Sequence, residues 1–143
     1  MKSLLLTPVF LLFGAFLYAQ SPLGVWKTID DETKEEKSHV RIYETPDGKL
    51  EGKVIRILTP GRQDATCKDC SGKNKDQPIK GMVVLWDLKK SDSDTWKGGY
   101  ILDPNNGKEY KCRITLKDEN TLDVRGYIGF SLIGRTQTWY REE

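Results

Sequence analysis

Beyond residue 20 most of the chain alternates apolar and polar positions with a period of two, and Pro, Asn, Asp and Gly interrupt the alternation at short intervals. That is the signature of strands joined by tight turns. The clearest stretch is the C-terminal third. Residues 95–102 set Trp96, Gly98, Tyr100 and Leu102 against Thr95, Lys97, Gly99 and Ile101. After Asp103-Pro104-Asn105-Asn106-Gly107, residues 108–116 carry Tyr110, Cys112, Ile114 and Leu116 on one face. A turn at Asp118-Glu119-Asn120 leads into residues 121–128, where Leu122, Val124, Gly126 and Ile128 share a face. A last strand occupies residues 135–141. The pattern predicts an antiparallel meander with one buried face.

Upstream, strands are expected at residues 23–29, 37–44 and 49–58. Thr45-Pro46-Asp47-Gly48 makes the turn between the second and third, because Pro presets φ and Gly accepts positive φ. Within residues 49–58 the apolar positions change parity, from Leu50, Gly52 and Val54 to Ile55 and Ile57, which predicts a bulge or sharp bend near Gly52 to Ile55. Residues 59–78 have no periodicity, and a loop of that length is often a lid or a binding loop. Residues 79–88 are apolar on both faces through Met82, Val83, Val84, Leu85 and Trp86, so their outer side needs a cover. The long loop or a partner would supply it. Residues 89–94 form a polar hairpin turn. The fold class expected is all-β: an eight-stranded antiparallel up-and-down barrel, since closure removes the unpaired edges of sequential strands. A barrel of eight strands is either filled by side chains or just wide enough for one small ligand.

Composition adds a compartment. Residues 1–19 combine Lys2, an apolar run and a terminal Ala19, the pattern of a secretory signal peptide. The run is shorter than the roughly 20 residues of a spanning helix, and Pro8 interrupts it. Export and cleavage would leave one domain, residues 20–143, in a periplasmic or secreted protein. The 23 Lys and Arg less Lys2 leave 22 against 21 Asp and Glu, with the signs interspersed. No nucleic-acid footprint is implied.

Candidate chemistry is sparse. Cys67-Lys68-Asp69-Cys70 has the spacing of a redox dithiol or half a zinc site. Only Cys112 and His39 remain to complete such a site, and the motif lies in a loop, so a disulfide pinning that loop is expected, with Cys112 buried and inert. No phosphate loop, zinc-protease helix or catalytic constellation is present, so neither an enzyme nor a metal or other cofactor is expected. The last strand is more informative. Arg135, Gln137, Trp139 and Arg141 share one face, and an inward Arg needs an anion, a carbonyl or a ligand as partner. The ligand-binding set expected is Trp86, Tyr100, Arg135 and Gln137, with Gly52, Gly98 and Gly126 leaving space inside. Two outcomes stay open: a barrel holding a small hydrophobic or amphipathic molecule, or a filled barrel that serves as an envelope interaction protein.

Two resemblances sharpen the fold. Gly24-Val25-Trp26 opens the first strand and Arg141 closes the last, an arrangement that resembles the lipocalin-like, or calycin, pattern. In that pattern the Arg stacks on the indole. Further motifs are Gly48-Lys49-Leu50-Glu51-Gly52-Lys53-Val54, Trp96-Lys97-Gly98-Gly99, Arg125-Gly126-Tyr127 and Arg135-Thr136-Gln137-Thr138-Trp139-Tyr140-Arg141. With these the chain resembles a bacterial secreted domain of unknown function, family 2147. The resemblance implies a lipocalin-like fold in an exported protein and no established activity. Some members of that family carry cysteines where this chain has Pro46 and Gly134, so their disulfide does not carry over. The structural set expected is Gly24, Trp26, Arg141, Cys67 and Cys70.

Overall fold

The computed structural model describes residues 20–130 and 132–143, together with Ser3 and Val9. The expected signal peptide, residues 1–19, lies almost entirely outside the described residues. Eight strands follow in order: β1 Gly24–Ile29, β2 Glu36–Glu44, β3 Leu50–Ile57, β4 Val83–Lys90, β5 Thr95–Asp103, β6 Lys108–Asp118, β7 Thr121–Tyr127 and β8 Gly134–Arg141. Each pairs antiparallel with the next, and β8 returns to β1 to close the barrel. Closure removes the two free edges of an open meander, through a short contact that pairs Trp26 with Arg141 and Lys27 with Tyr140. The one helical turn among the described residues is a 3-10 turn, Gly72–Asn74, and no described helix is long and apolar enough to cross a membrane.

Alternation decides most of the interior. Val40 and Ile42 on β2, Leu50, Gly52 and Val54 on β3, Cys112, Ile114 and Leu116 on β6, and Leu122 and Val124 on β7 all face inward and are buried. The parity change in β3 is real. Val40 pairs with Val54 but His39 pairs with Arg56, so Ile55 is the extra residue of a bulge and Ile57 regains the inner face.

The fourth strand departs from the expectation. It begins at Val83, because Ile79 to Met82 turns: Met82 N donates to Ile79 O at 3.1 Å and Gly81 N to Val54 O at 2.7 Å. Between β3 and β4 the register slips twice, once between Leu50 and Gly52 and once between Gly52 and Lys53. Val84 and Leu85 are consecutive and both buried, and Asp87 has a left-handed backbone with φ of 59°. These irregularities turn Trp86 to the outer wall.

The segment between β3 and β4 covers that wall. Thr66 bridges Pro78, Cys67 and Cys70 are joined in a disulfide, and Cys67, Cys70, Ile79 and Met82 are buried in the same apolar cluster against which Trp86 packs. Cys67 Sγ lies 3.5 Å from Pro104 O, which docks the segment on the β5–β6 turn. The expected lid is therefore a wall covering. Its buried residues join the apolar cluster against which Trp86 of β4 packs, which supplies the cover that strand residues apolar on both faces required.

Candidate functional site

Antiparallel up-and-down connection puts the turns of the barrel at two ends. One end carries the chain segment before β1, the last residues after β8 and the β2–β3, β4–β5 and β6–β7 turns. Here Trp26, fully buried, and Arg141 are paired across β1 and β8, with the guanidinium 4.3 Å from the ring centre. Arg141 donates through Nε to Glu119 O at 2.7 Å, through Nη1 to Leu23 O at 2.7 Å and through Nη2 to Ser21 O at 2.6 Å. The Trp26 indole donates to Pro22 O at 2.8 Å. One Arg and one Trp thus fasten the entering chain across the barrel end. Gly24 permits the crossing: its φ is 128°, and a Cβ there would collide with Glu143 O and Arg141 Nη1. Leu50, Leu85, Leu88, Trp96, Ile114, Leu116 and Leu122 fill this half.

The other half is hollow. A cavity of about 490 Å³ opens at the end that carries the β1–β2, β5–β6 and β7–β8 turns. Its apolar walls include Val40, Val54, Val84, Leu102, Val124 and Trp139. Gly126 also faces it, so one of the three expected glycines makes room inside. The other two do not. The space over Gly52 is taken by Leu85 and Val40, and Gly98 is exposed, with φ of 78° and nothing near its missing side chain.

Polar and charged side chains are interspersed among these walls, Asp30, Lys37, Asp103, Asn106 and Tyr110 included, and several are already partnered. Thr28 Oγ1 and Ser38 Oγ share a hydrogen bond of 2.8 Å, and the Trp139 indole donates to Gln137 Oε1 at 3.1 Å. At the mouth Arg135 grips Asp31: Nε donates to Oδ2 at 2.9 Å and Nη2 to Oδ1 at 2.5 Å, with Glu32 Oε1 3.3 Å from Nη2. The Arg135 bonds hold the Asp31 carboxyl below its ordinary range, and Asp31 in turn raises the Arg135 pKa.

Of the expected ligand-binding set, Arg135 and Gln137 line the cavity, and Trp86 and Tyr100 do not. The latter two form a cross-strand pair with ring centres 5.8 Å apart. They stand on the outer wall, where Trp86 borders a second hollow of about 650 Å³ with Glu51, Lys80 and Glu109. The correction follows from the irregularities in β4 and from the register shift between Trp96 and Gly99 in β5, which invert the alternation. Arg135 has the anion that an Arg on this face required, in Asp31 and Glu32, but it stands exposed at the mouth and not deep inside the barrel. Pattern reading passed over Val40, Val54, Val124 and Trp139 as site residues, although period two places each of them inward. Asp31 had no signal, since it lies in a polar loop 104 residues from its partner.

Cys112 is fully buried between Gly99 and Gly126, and burial pushes its thiol up to about 12. A thiol so protonated is a poor nucleophile. Among the described residues, no three His, Cys, Asp or Glu side chains converge as a metal site.

Residues 24–141 match the family described as "Uncharacterized protein conserved in bacteria (DUF2147)". The chain belongs to this family. Among solved structures it is similar to a Helicobacter pylori protein, HP1028, described as belonging to the lipocalin family. The two share 25% identity and a TM-score of 0.76, over 86% of this chain and 84% of that one. No curated protein matches the chain. The closed eight-stranded barrel is thus lipocalin-like in topology as well as in its Trp26–Arg141 closure.

Proposed function

We propose that this DUF2147 protein is an exported binding protein, not an enzyme, that holds one small apolar or amphipathic molecule in the open half of its barrel. The observation that carries the reading is the cavity of about 490 Å³ with valines on its walls, a size within the range of about 300–1,000 Å³ usual for small-molecule sites. The lipocalin-family relative supports it by fold. The polar groups refine the ligand. Arg135 already has two carboxylates, so a ligand carboxylate would have to displace Asp31. Beside their mutual bond the Thr28 and Ser38 hydroxyls keep further acceptor capacity and offer neutral groups to a polar end. Both cations on the lining are already paired, Arg135 with Asp31 and Glu32 and Lys37 with Glu35, so an uncharged amphipathic molecule fits better than a fatty acid.

The test is a titration with an apolar dye, fatty alcohols and the matching fatty acids, followed by Trp fluorescence. Saturable binding is expected, with alcohols at or above acids in affinity. Val124→Phe, checked for folding by circular dichroism, should weaken it at least about tenfold by filling the cavity. Tyr100→Ala on the outer wall should leave it unchanged. No saturable binding by the parent would leave the envelope interaction protein as the better reading. Export rests on Lys2, the apolar run and Ala19. Amino-terminal sequencing of the protein from the producing cell should begin at Gln20, and a start at Met1 would overturn that half of the proposal.

A further inference from the structure

The turn between β7 and β8 breaks the rule that hairpin tips are polar. Ile128, Phe130, Leu132 and Ile133 are 62%, 81%, 90% and 64% exposed. Single exposed apolar residues are ordinary, but four large ones on one turn form a patch. From Tyr127 to Gly134 the chain carries no charged residue. The turn is closed by its own backbone: Ile128 N donates to Ile133 O at 2.9 Å and Ile133 N to Phe130 O at 3.0 Å. At its base Gly134 is pressed against Gly126 O and Tyr127, where any Cβ would collide. The apolar side chains are therefore presented outward by a fastened turn.

Position gives the patch a purpose. Ile128 and Ile133 also line the cavity, so the apolar surface runs from the tip into the barrel without a polar break at those residues. We propose that the 128–133 turn inserts into the surface of a lipid bilayer and sets the cavity mouth against it. A molecule suited to the cavity dissolves in bilayer rather than in water, and this contact lets it pass between the two with little exposure. A bilayer suits the tip better than a protein partner does. The tip is a single hairpin turn, and four side chains offer less than the ~800 Å² each partner gives to a stable complex. Without charges on the turn, insertion is driven by apolar burial and not by anionic headgroups. This inference rests on the cavity-binding reading for its purpose, but its test does not.

Co-sedimentation with vesicles of phosphatidylcholine alone tests the proposal on the full chain. The parent is compared with the double variant Phe130→Ser, Leu132→Ser, so that any contribution from residues 1–19 cancels. Partition should fall at least about tenfold in the double variant and be insensitive to NaCl. A Phe130→Trp variant reads the tip directly: in vesicles of brominated phosphatidylcholine it should show quenching beyond that of the parent's own tryptophans. Equal partition of parent and double variant, with an unquenched tip, would overturn the proposal. So would a concentration-dependent dimer that the double variant abolishes, since the tip would then be covered by a second copy. Dye titration without vesicles, run on the same proteins, keeps the two readings apart. Dye binding retained by the double variant while vesicle binding is lost supports both. Vesicle binding without dye binding would sink the cavity reading and leave the docking turn standing.

Discussion

The two halves of the barrel share the same strands and differ in the size of the side chains those strands turn inward. Towards the closed end the inward residues are Trp26, Ile42, Leu50, Leu85, Leu88, Trp96, Ile114, Leu116 and Leu122, all buried. Towards the mouth they are mainly smaller, Thr28, Ser38, Val40, Val54, Val84, Val124 and Gly126, joined by Ile101 and Leu102, with Trp139 at the boundary. An eight-stranded barrel has a nearly constant bore, so leucine, isoleucine and tryptophan fill it and valine, threonine and glycine leave it hollow. Polar closure follows the same division. Arg141 gives its donors to backbone carbonyls and its face to Trp26, sealing one end. Arg135, three turns of alternation away on the same face of β8, bonds to a loop and leaves its end open. Packed side chains are concentrated in the filled half and open volume in the hollow one.

The largest effect should separate the halves directly. Trp26→Ala removes a fully buried ring from the filled end, takes away the surface on which Arg141 rests, and should cost ~3–5 kcal/mol. Val124→Ala, at the hollow end, enlarges space that is already open and should cost only about 1–2 kcal/mol, the transfer contribution with little added cavity cost. Urea midpoints of the two variants at a common slope measure the contrast. Equal losses would mean that the halves are packed alike.

The smallest effect probes the mouth. Folding lowers the Asp31 pKa through the Arg135 bonds, so the pair's stabilisation is present in full above the unfolded carboxylate value of about 4. It is lost as the pH falls through the lowered folded value. Because Arg135 is 60% exposed, the contribution should be no more than about 1 kcal/mol. Asp31→Asn should therefore be slightly destabilised against the parent at pH 7, and the gap should narrow as the pH falls below about 4 and through the lowered folded value. A gap that persists undiminished at low pH would assign Asp31 a role other than pairing with Arg135.

Much of this organisation was legible in one dimension. The period of two and the Pro, Asn, Asp and Gly punctuation are local properties, and they located eight strands in order and the bulge at Ile55. Gly24-Val25-Trp26 and Arg141 marked the closing end because their roles depend on being first and last. Trp86 and Tyr100 could not be placed that way. A bulge shifts every later residue to the opposite face, and the slips between β3 and β4 arise from pairing with a partner strand, which periodicity does not record. Asp31 beside Arg135 was equally hidden, because closing the barrel is what carries two residues 104 positions apart into contact. The pattern asked for a cover on the outer side of the fourth strand and left open whether the long loop or a partner supplied it; the burial of Cys67, Cys70, Ile79 and Met82 in one cluster with Trp86 against it decided for the loop. The sequence by itself determined the strands, their alternation and the closing pair, since each is written in near neighbours. Only the tertiary structure decided that one half of the barrel is hollow and that its mouth is ringed by a salt bridge and an apolar turn, because volume and long-range pairing exist only once the sheet has closed.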